Sequence, residues 1–139
     1  HVNVLPASFT ITAHIIQTEG SPSDYYGVSF YFKNGTQAET AYAFLITSGG
    51  KYVLLKYPGQ SQPTNLGPYG TYQHVQGLGK ENTLVVSVAN GQITCSVNGD
   101  AAGHIQVPTD PQFQGGIVSL VVTGPNATYV ASELKLEDH

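Results

Sequence analysis

Nine carboxylates are present, and acids in pairs are the groups most often used for hydrolysis. Cleaving a glycosidic bond takes two of them flanking the scissile bond, about 5–5.5 Å or 6.5–9.5 Å apart according to mechanism. Glu19, Asp24, Glu39, Glu81, Asp100 and Asp110 fall where turns are expected, and Glu137 and Asp138 lie at the tail. Glu133 alone is inside an expected strand, so no Glu-x-Asp or comparable pair is spelled out. Gly-x-Ser-x-Gly, a P-loop and His-Glu-x-x-His are also missing, which leaves no marked nucleophile, phosphate cradle or zinc helix. His14, His74 and His104 are dispersed, and His1 and His139 are terminal. The single Cys95 excludes an intrachain disulfide framework and a cysteine zinc site. Asp24 is the candidate oxygen ligand for a hard cation such as calcium, its alternative being the ordinary turn-forming role of Asp. No catalytic residue and no other cofactor is expected.

Composition sets the class of molecule. The chain has 139 residues, five Lys, no Arg and a formal net charge of −4. That length suits one domain over 1–139 with its own core. Charged residues are only 10%, so solubility rests on 13 Thr, 10 Ser, 10 Gln and 7 Asn. Without Arg and with net negative charge there is no electrostatic footprint for nucleic acid or acidic membranes. No apolar run approaches the roughly 20 residues of a membrane helix, so this segment is not expected to insert. Low charge with plentiful Thr, Tyr, Asn and Gln points to an extracytoplasmic protein. With no Met, His1 reads as the start of a piece processed or excised from a longer chain.

The elements that must position any site are strands. Ser8–Gln17 alternates Phe9, Ile11, Ala13 and Ile15 against Thr10, Thr12 and His14. Tyr26–Phe32 sets Val28, Phe30 and Phe32 opposite Ser29 and Tyr31. Further strands are expected at 41–47, 52–57, 83–89, 92–97, 117–122 and 129–136, with a weaker one at 2–5. Eight or nine short strands between Gly, Pro and Asn clusters describe a sandwich or barrel.

One hairpin can be registered by arithmetic. Asn90-Gly91 suits a two-residue type I′ turn, where both residues need positive φ. Ala89 then faces Gln92, Val88 faces Ile93, Val86 faces Cys95 and Leu84 faces Val97, with the last six on one apolar face. Cys95 is therefore a core residue. The strands 41–47 and 52–57 differ, since Phe44 and Ile46 occupy one face and Leu45 the other. Such strands are covered on both sides or leave an apolar patch. The connection 58–80, rich in Gly, Pro, Gln and Tyr, is expected to lie over this sheet.

The succession of pieces carries a resemblance. Ser8-Phe9-Thr10-Ile11, Asp24 through Phe32, Ala43-Phe44-Leu45-Ile46 and Gly50-Lys51-Tyr52-Val53-Leu54 form its first half. Asn82-Thr83-Leu84-Val85-Val86, Gly91-Gln92-Ile93-Thr94, Val97-Asn98-Gly99 and Gly115-Gly116-Ile117-Val118 form its second. In this order they resemble the concanavalin A-like lectin/glucanase superfamily, and within it small laminin-G-like bacterial domains. The resemblance implies an all-β, antiparallel two-sheet jelly roll with ligands on a concave face or rim loops. The superfamily's glucanases carry two or three acids on one strand, which this sequence lacks, so their catalytic residues do not carry over.

Aromatics supply the remaining chemistry. Sugar rings present apolar C–H faces, which aromatic platforms and hydroxyl or amide groups recognise. Tyr is the amphipathic aromatic here, with nine copies and no Trp. Tyr31, Tyr57, Tyr69, Tyr72 and His74 are the residues expected to line one groove, the alternative being that the tyrosines pack beneath the long connection. The expected function is a non-catalytic module for carbohydrate or glycoconjugate, as a sensory or adhesive domain of a larger bacterial signalling protein such as a membrane-anchored kinase. The alternatives are a protein-interaction scaffold without a sugar site and, third, a glycosidase-like enzyme.

Overall fold

The computed structural model describes residues 8–34, 39–58, 64–66, 70–71, 75–108, 117–124 and 126–138. Its strands are β1 (Phe9–Glu19), β2 (Tyr25–Asn34), β3 (Glu39–Thr47), β4 (Lys51–Pro58), β5 (Thr64–Asn65) and β6 (Gly70–Thr71), followed by β7 (Glu81–Ala89), β8 (Gln92–Val97), β9 (Asp100–Pro108), β10 (Ile117–Val122) and β11 (Thr128–Asp138). They form two antiparallel sheets, one ordered β11-β1-β7-β8-β9 and the other β10-β2-β3-β4-β5, with β6 also pairing β4. This is the expected jelly-roll sandwich. The weak strand expected at 2–5 lies outside the described residues.

Period-two alternation explains how the sheets face each other. Along β1, Phe9, Ile11, Ala13 and Ile15 are buried while Thr10, Thr12 and His14 face outward. β7 and β8 add Leu84, Val86, Val88, Ile93, Cys95 and Val97 to the same core. From the other sheet come Tyr26, Val28 and Phe30 of β2, Tyr42, Phe44 and Ile46 of β3, and Tyr52 and Leu54 of β4. Each such large apolar side chain contributes about 1.5–3 kcal/mol by leaving water. The β7–β8 register agrees pair for pair with the arithmetic, from Ala89 opposite Gln92 to Leu84 opposite Val97. Asn90 and Gly91 have φ of 53° and 73°, as a type I′ turn requires.

Two expectations are corrected. Strand β9 was not anticipated, because Asp100-Ala-Ala-Gly has poor strand propensity. A second Asn-Gly pair, Asn98-Gly99 with φ of 54° and 89°, folds it back onto β8. The tail is not a tail, since Glu137 and Asp138 pair with Thr10 and Phe9 in β11. Of the connection after β4, most lies outside the described residues; its described strands pair with the edge of β4, Thr64 opposite Lys56 and Thr71 opposite Lys51. Leu66 donates its N–H to the Leu54 carbonyl at 2.8 Å, and Leu66 and Val75 pack against the main core. These residues close the side of the sandwich.

Candidate functional site

The doubly apolar strands β3 and β4 give the six-stranded sheet a second buried cluster on its outer face. Ala43, Leu45 and Val53 form it, with Tyr25, Leu55, Tyr57 and Val121 packed around them. The pairings show how the face is tiled. Ser119, Ser29, Ala43, Leu55 and Asn65 run across it in one row, and Val121, Gly27, Leu45 and Val53 in the next. Tyr25 lies beyond, opposite Thr47, and Tyr57 lies at the far end, opposite Ala41. Thr47 and Ala41 are six residues apart on β3, so the two tyrosines bracket about 20 Å of strand. Between them the floor mixes Gly27, Ser29 and Ala43 with Leu45, Val53 and Leu55, and Ser29, Ala43, Leu45 and Val53 are all buried.

Gly27 is required there by packing. A Cβ at this position would run into the Phe44 carbonyl oxygen of β3, so β2 and β3 approach as only a glycine allows. Tyr25 is held by the adjoining turn. Its N–H donates to Thr123 Oγ1 at 2.8 Å, and its carbonyl accepts from the Thr123 hydroxyl at 2.8 Å and N–H at 3.0 Å. Asp24 builds the turn on the other side, with Oδ2 accepting the Ser21 N–H at 3.0 Å and its own N–H donating to the Ser21 carbonyl at 3.1 Å. Its carboxylate also packs against Gly124, where a Cβ would collide with it. Asp24 thus has the turn-forming role. Among the described residues no three His, Cys, Asp or Glu side chains come together as a metal site.

Of the expected site residues, Tyr57 lies half-buried on this face. Tyr31 does not, which is a correction. β2 carries one more residue than β3 between Phe30 and Lys33, and the extra residue is Tyr31 at φ 56°. That bulge breaks the alternation and turns the ring inward. It is 6% exposed, with ring centroids 5.6 Å from Phe9, 5.8 Å from Phe30 and 6.1 Å from Tyr42. Burial pushes its hydroxyl pKa up, and neighbouring Tyr42 adds to the rise. Tyr69, Tyr72 and His74 lie outside the described residues. Sequence reasoning missed Tyr25, Gly27, Ser29 and Ser119 as parts of one face. For the β2 residues the signal is the odd-numbered alternation from Tyr25, opposite in phase to Tyr26, Val28 and Phe30.

Ionisable groups gather elsewhere. On the outer face of the five-stranded sheet, His14 Nδ1 stands 3.0 Å from Thr83 Oγ1 and 3.4 Å from Glu81 Oε2, and the Ser132 hydroxyl donates to Glu81 Oε1 at 3.2 Å. The sandwich core separates this cluster from Tyr25 and Tyr57. The tyrosine face offers contact surface and hydroxyl groups. Cys95 is buried in the core, where desolvation raises its thiol pKa far above the usual range.

Solved structures share this architecture. CBM66, a carbohydrate-binding module from Bacillus subtilis, superposes with a TM-score of 0.74 at 13% identity, over 96% of this chain and 76% of its own. Sheep galectin-11, in a complex with glycerol, gives 0.66 at 11% identity over 96% and 92%. Alginate lyase A1-II′, of polysaccharide lyase family 7, gives 0.66 at 15% identity over 98% and 64%. These are concanavalin A-like jelly rolls, and the present chain has that fold. At such identities the likeness is one of fold. Neither a family model nor a curated protein sequence matches this chain.

Proposed function

We propose that this chain is a non-catalytic binding module for carbohydrate or glycoconjugate, and that the outer face between Tyr25 and Tyr57 is its site. The observation that carries this reading is a pair of half-buried tyrosines, Tyr25 and Tyr57, at either end of one apolar face. A tyrosine offers a sugar ring an apolar face with a hydroxyl at the edge. The sequence has no Glu-x-Asp or Glu-x-Glu run, which favours binding over hydrolysis by paired acids on one strand. Two of the structural neighbours, a carbohydrate-binding module and a galectin, lend support on the same fold. Low charge content favours an extracytoplasmic setting, as the sensory or adhesive part of a larger protein.

A glycan-array screen with calcium, and again with chelator, tests the reading. Tyr25→Ala and Tyr57→Ala are each expected to weaken a specific hit about tenfold, the loss of one aromatic stacking contact. Binding unchanged in both variants overturns the placement of the site. A calcium-dependent hit abolished by Asp24→Asn assigns a cation to Asp24. Exposed apolar residues of β10, Leu120 and Val122, support a second reading, a protein-interaction surface. A blank array under both conditions selects that reading over the first.

A further inference from the structure

Two Asn-Gly pairs of this chain make the same turn in different surroundings. Asn90-Gly91 joins β7 to β8, with Ala89 opposite Gln92, and Asn98-Gly99 joins β8 to β9, with Val97 opposite Asp100. Both asparagines lie in the left-handed region, at φ 53° and 54°, and their glycines follow at 73° and 89°. An asparagine followed by glycine is open to attack on its own side chain. The glycine has no Cβ, so its backbone nitrogen can reach the side-chain carbonyl carbon before it. Because the pair and its turn are the same, a difference in reactivity comes from what holds each side-chain amide.

Asn98 is clamped. Its Oδ1 accepts the Thr83 N–H at 2.9 Å, its Nδ2 donates to Asn82 Oδ1 at 3.0 Å, and its own N–H donates to the Thr83 carbonyl at 2.8 Å. Turning the Asn98 amide towards the Gly99 nitrogen breaks both side-chain bonds, one of them to the fully buried Asn82. Deamidation there would also put an oxygen in place of Nδ2 against Asn82 Oδ1, acceptor against acceptor. Asn90 is placed otherwise. It and Gly91 are exposed at the end of their hairpin, and among the described residues no side-chain hydrogen bond holds the Asn90 amide. Exposed hairpin ends open locally at small cost, which lets an unheld amide swing onto the chain.

We propose that Asn90 is a site of spontaneous deamidation, and that Asn98 is protected from the same reaction by its hydrogen bonds to Thr83 and Asn82. Hydroxide takes the proton of the Gly91 N–H, and the freed nitrogen pair attacks Asn90 Cγ. A new C–N bond closes a succinimide ring while the bond from Cγ to Nδ2 breaks. Nδ2 leaves as ammonia with a proton from water, which regenerates hydroxide. Water then adds to either ring carbonyl and reopens the ring, leaving an aspartyl or an isoaspartyl residue at position 90. Either product adds a negative charge at the hairpin end. The isoaspartyl product also carries the chain through the side-chain methylene, lengthening a turn whose two-residue length sets the β7–β8 register. None of this rests on the sugar-binding reading.

Folded protein held at mildly alkaline pH and physiological temperature, then digested and mapped by mass spectrometry, reads each asparagine separately. Asn90 is expected to convert at least about tenfold faster than Asn98, the effect of two hydrogen bonds that must break first. In denaturant neither amide is held, and the two rates are expected to agree within about threefold. Equal rates in the folded protein, an equally large ratio in denaturant, or no conversion at Asn90 overturns the proposal. Asn82→Ala removes one of the two bonds and is expected to speed Asn98 about threefold or more while the Asn90 rate stays. An unchanged Asn98 rate in that variant overturns the protection assigned to Asn82. Should the variant fail to fold, the comparison of folded with denatured protein decides without it.

Discussion

Tyr26 ties two kinds of packing together. Its ring is fully buried and lies 5.1 Å from the ring of Tyr129, while its hydroxyl accepts a hydrogen bond from Asn82 Nδ2 at 2.8 Å. Asn82 is itself buried and satisfied, since Nδ2 also donates to the Gln76 carbonyl at 3.0 Å and Oδ1 accepts from the Gln76 N–H at 2.7 Å and from Asn98 Nδ2 at 3.0 Å. Desolvation raises the Tyr26 pKa, and the Asn82 hydrogen bond opposes part of that rise. A phenol with a raised folded-state pKa holds its proton more tightly when folded, so its contribution is complete below the unfolded value near 10. Stability should therefore fall as pH rises from about 10 through the folded pKa. Thermal melts between neutral and alkaline pH check this. Tyr26→Phe is expected to lose about 1 kcal/mol at neutral pH and to shrink the alkaline fall. Tyr31 and Tyr129, whose pKa values are raised as well, keep some of it.

Elements show where local signals suffice. The β7–β8 hairpin was legible because the Asn90-Gly91 turn and the burial pattern demand the same register. β9 was not, because only its turn carries a signal and its body owes its strand form to β8. The Tyr31 bulge left no mark, since an extra residue in β2 becomes visible only when β3 and β10 lie beside it. Gly27 belongs here too, as it looks like any glycine until the Phe44 carbonyl is placed against it. Gly27→Ala is expected to destabilise the domain by about 2 kcal/mol by forcing β2 and β3 apart, read from denaturant melts. It should also weaken any ligand that binds between Tyr25 and Tyr57.

The whole molecule is held by pairings between distant parts of the chain. β1 joins β7 on one side and β11 on the other, so Phe9 meets Val88 and Asp138. Closing such long loops precedes any gain from the contacts, which slows folding of sandwiches into the millisecond-to-second range. Stopped-flow refolding should give a rate in about that range, and a microsecond phase carrying the full amplitude would contradict it. The sequence by itself determined the sandwich class, most strand positions and the core identity of Cys95, because period-two alternation and turn chemistry are written in neighbouring residues. It also located Tyr57 on an apolar strand pair and marked Asp24 as a turn residue. Only the tertiary structure decided that Tyr31 turns inward, that Tyr25 and Tyr57 bracket one face, and that β10 and β11 each stand at one edge of a sheet. Those outcomes depend on which strands become neighbours, and strand order is set by the packing of residues far apart in the chain.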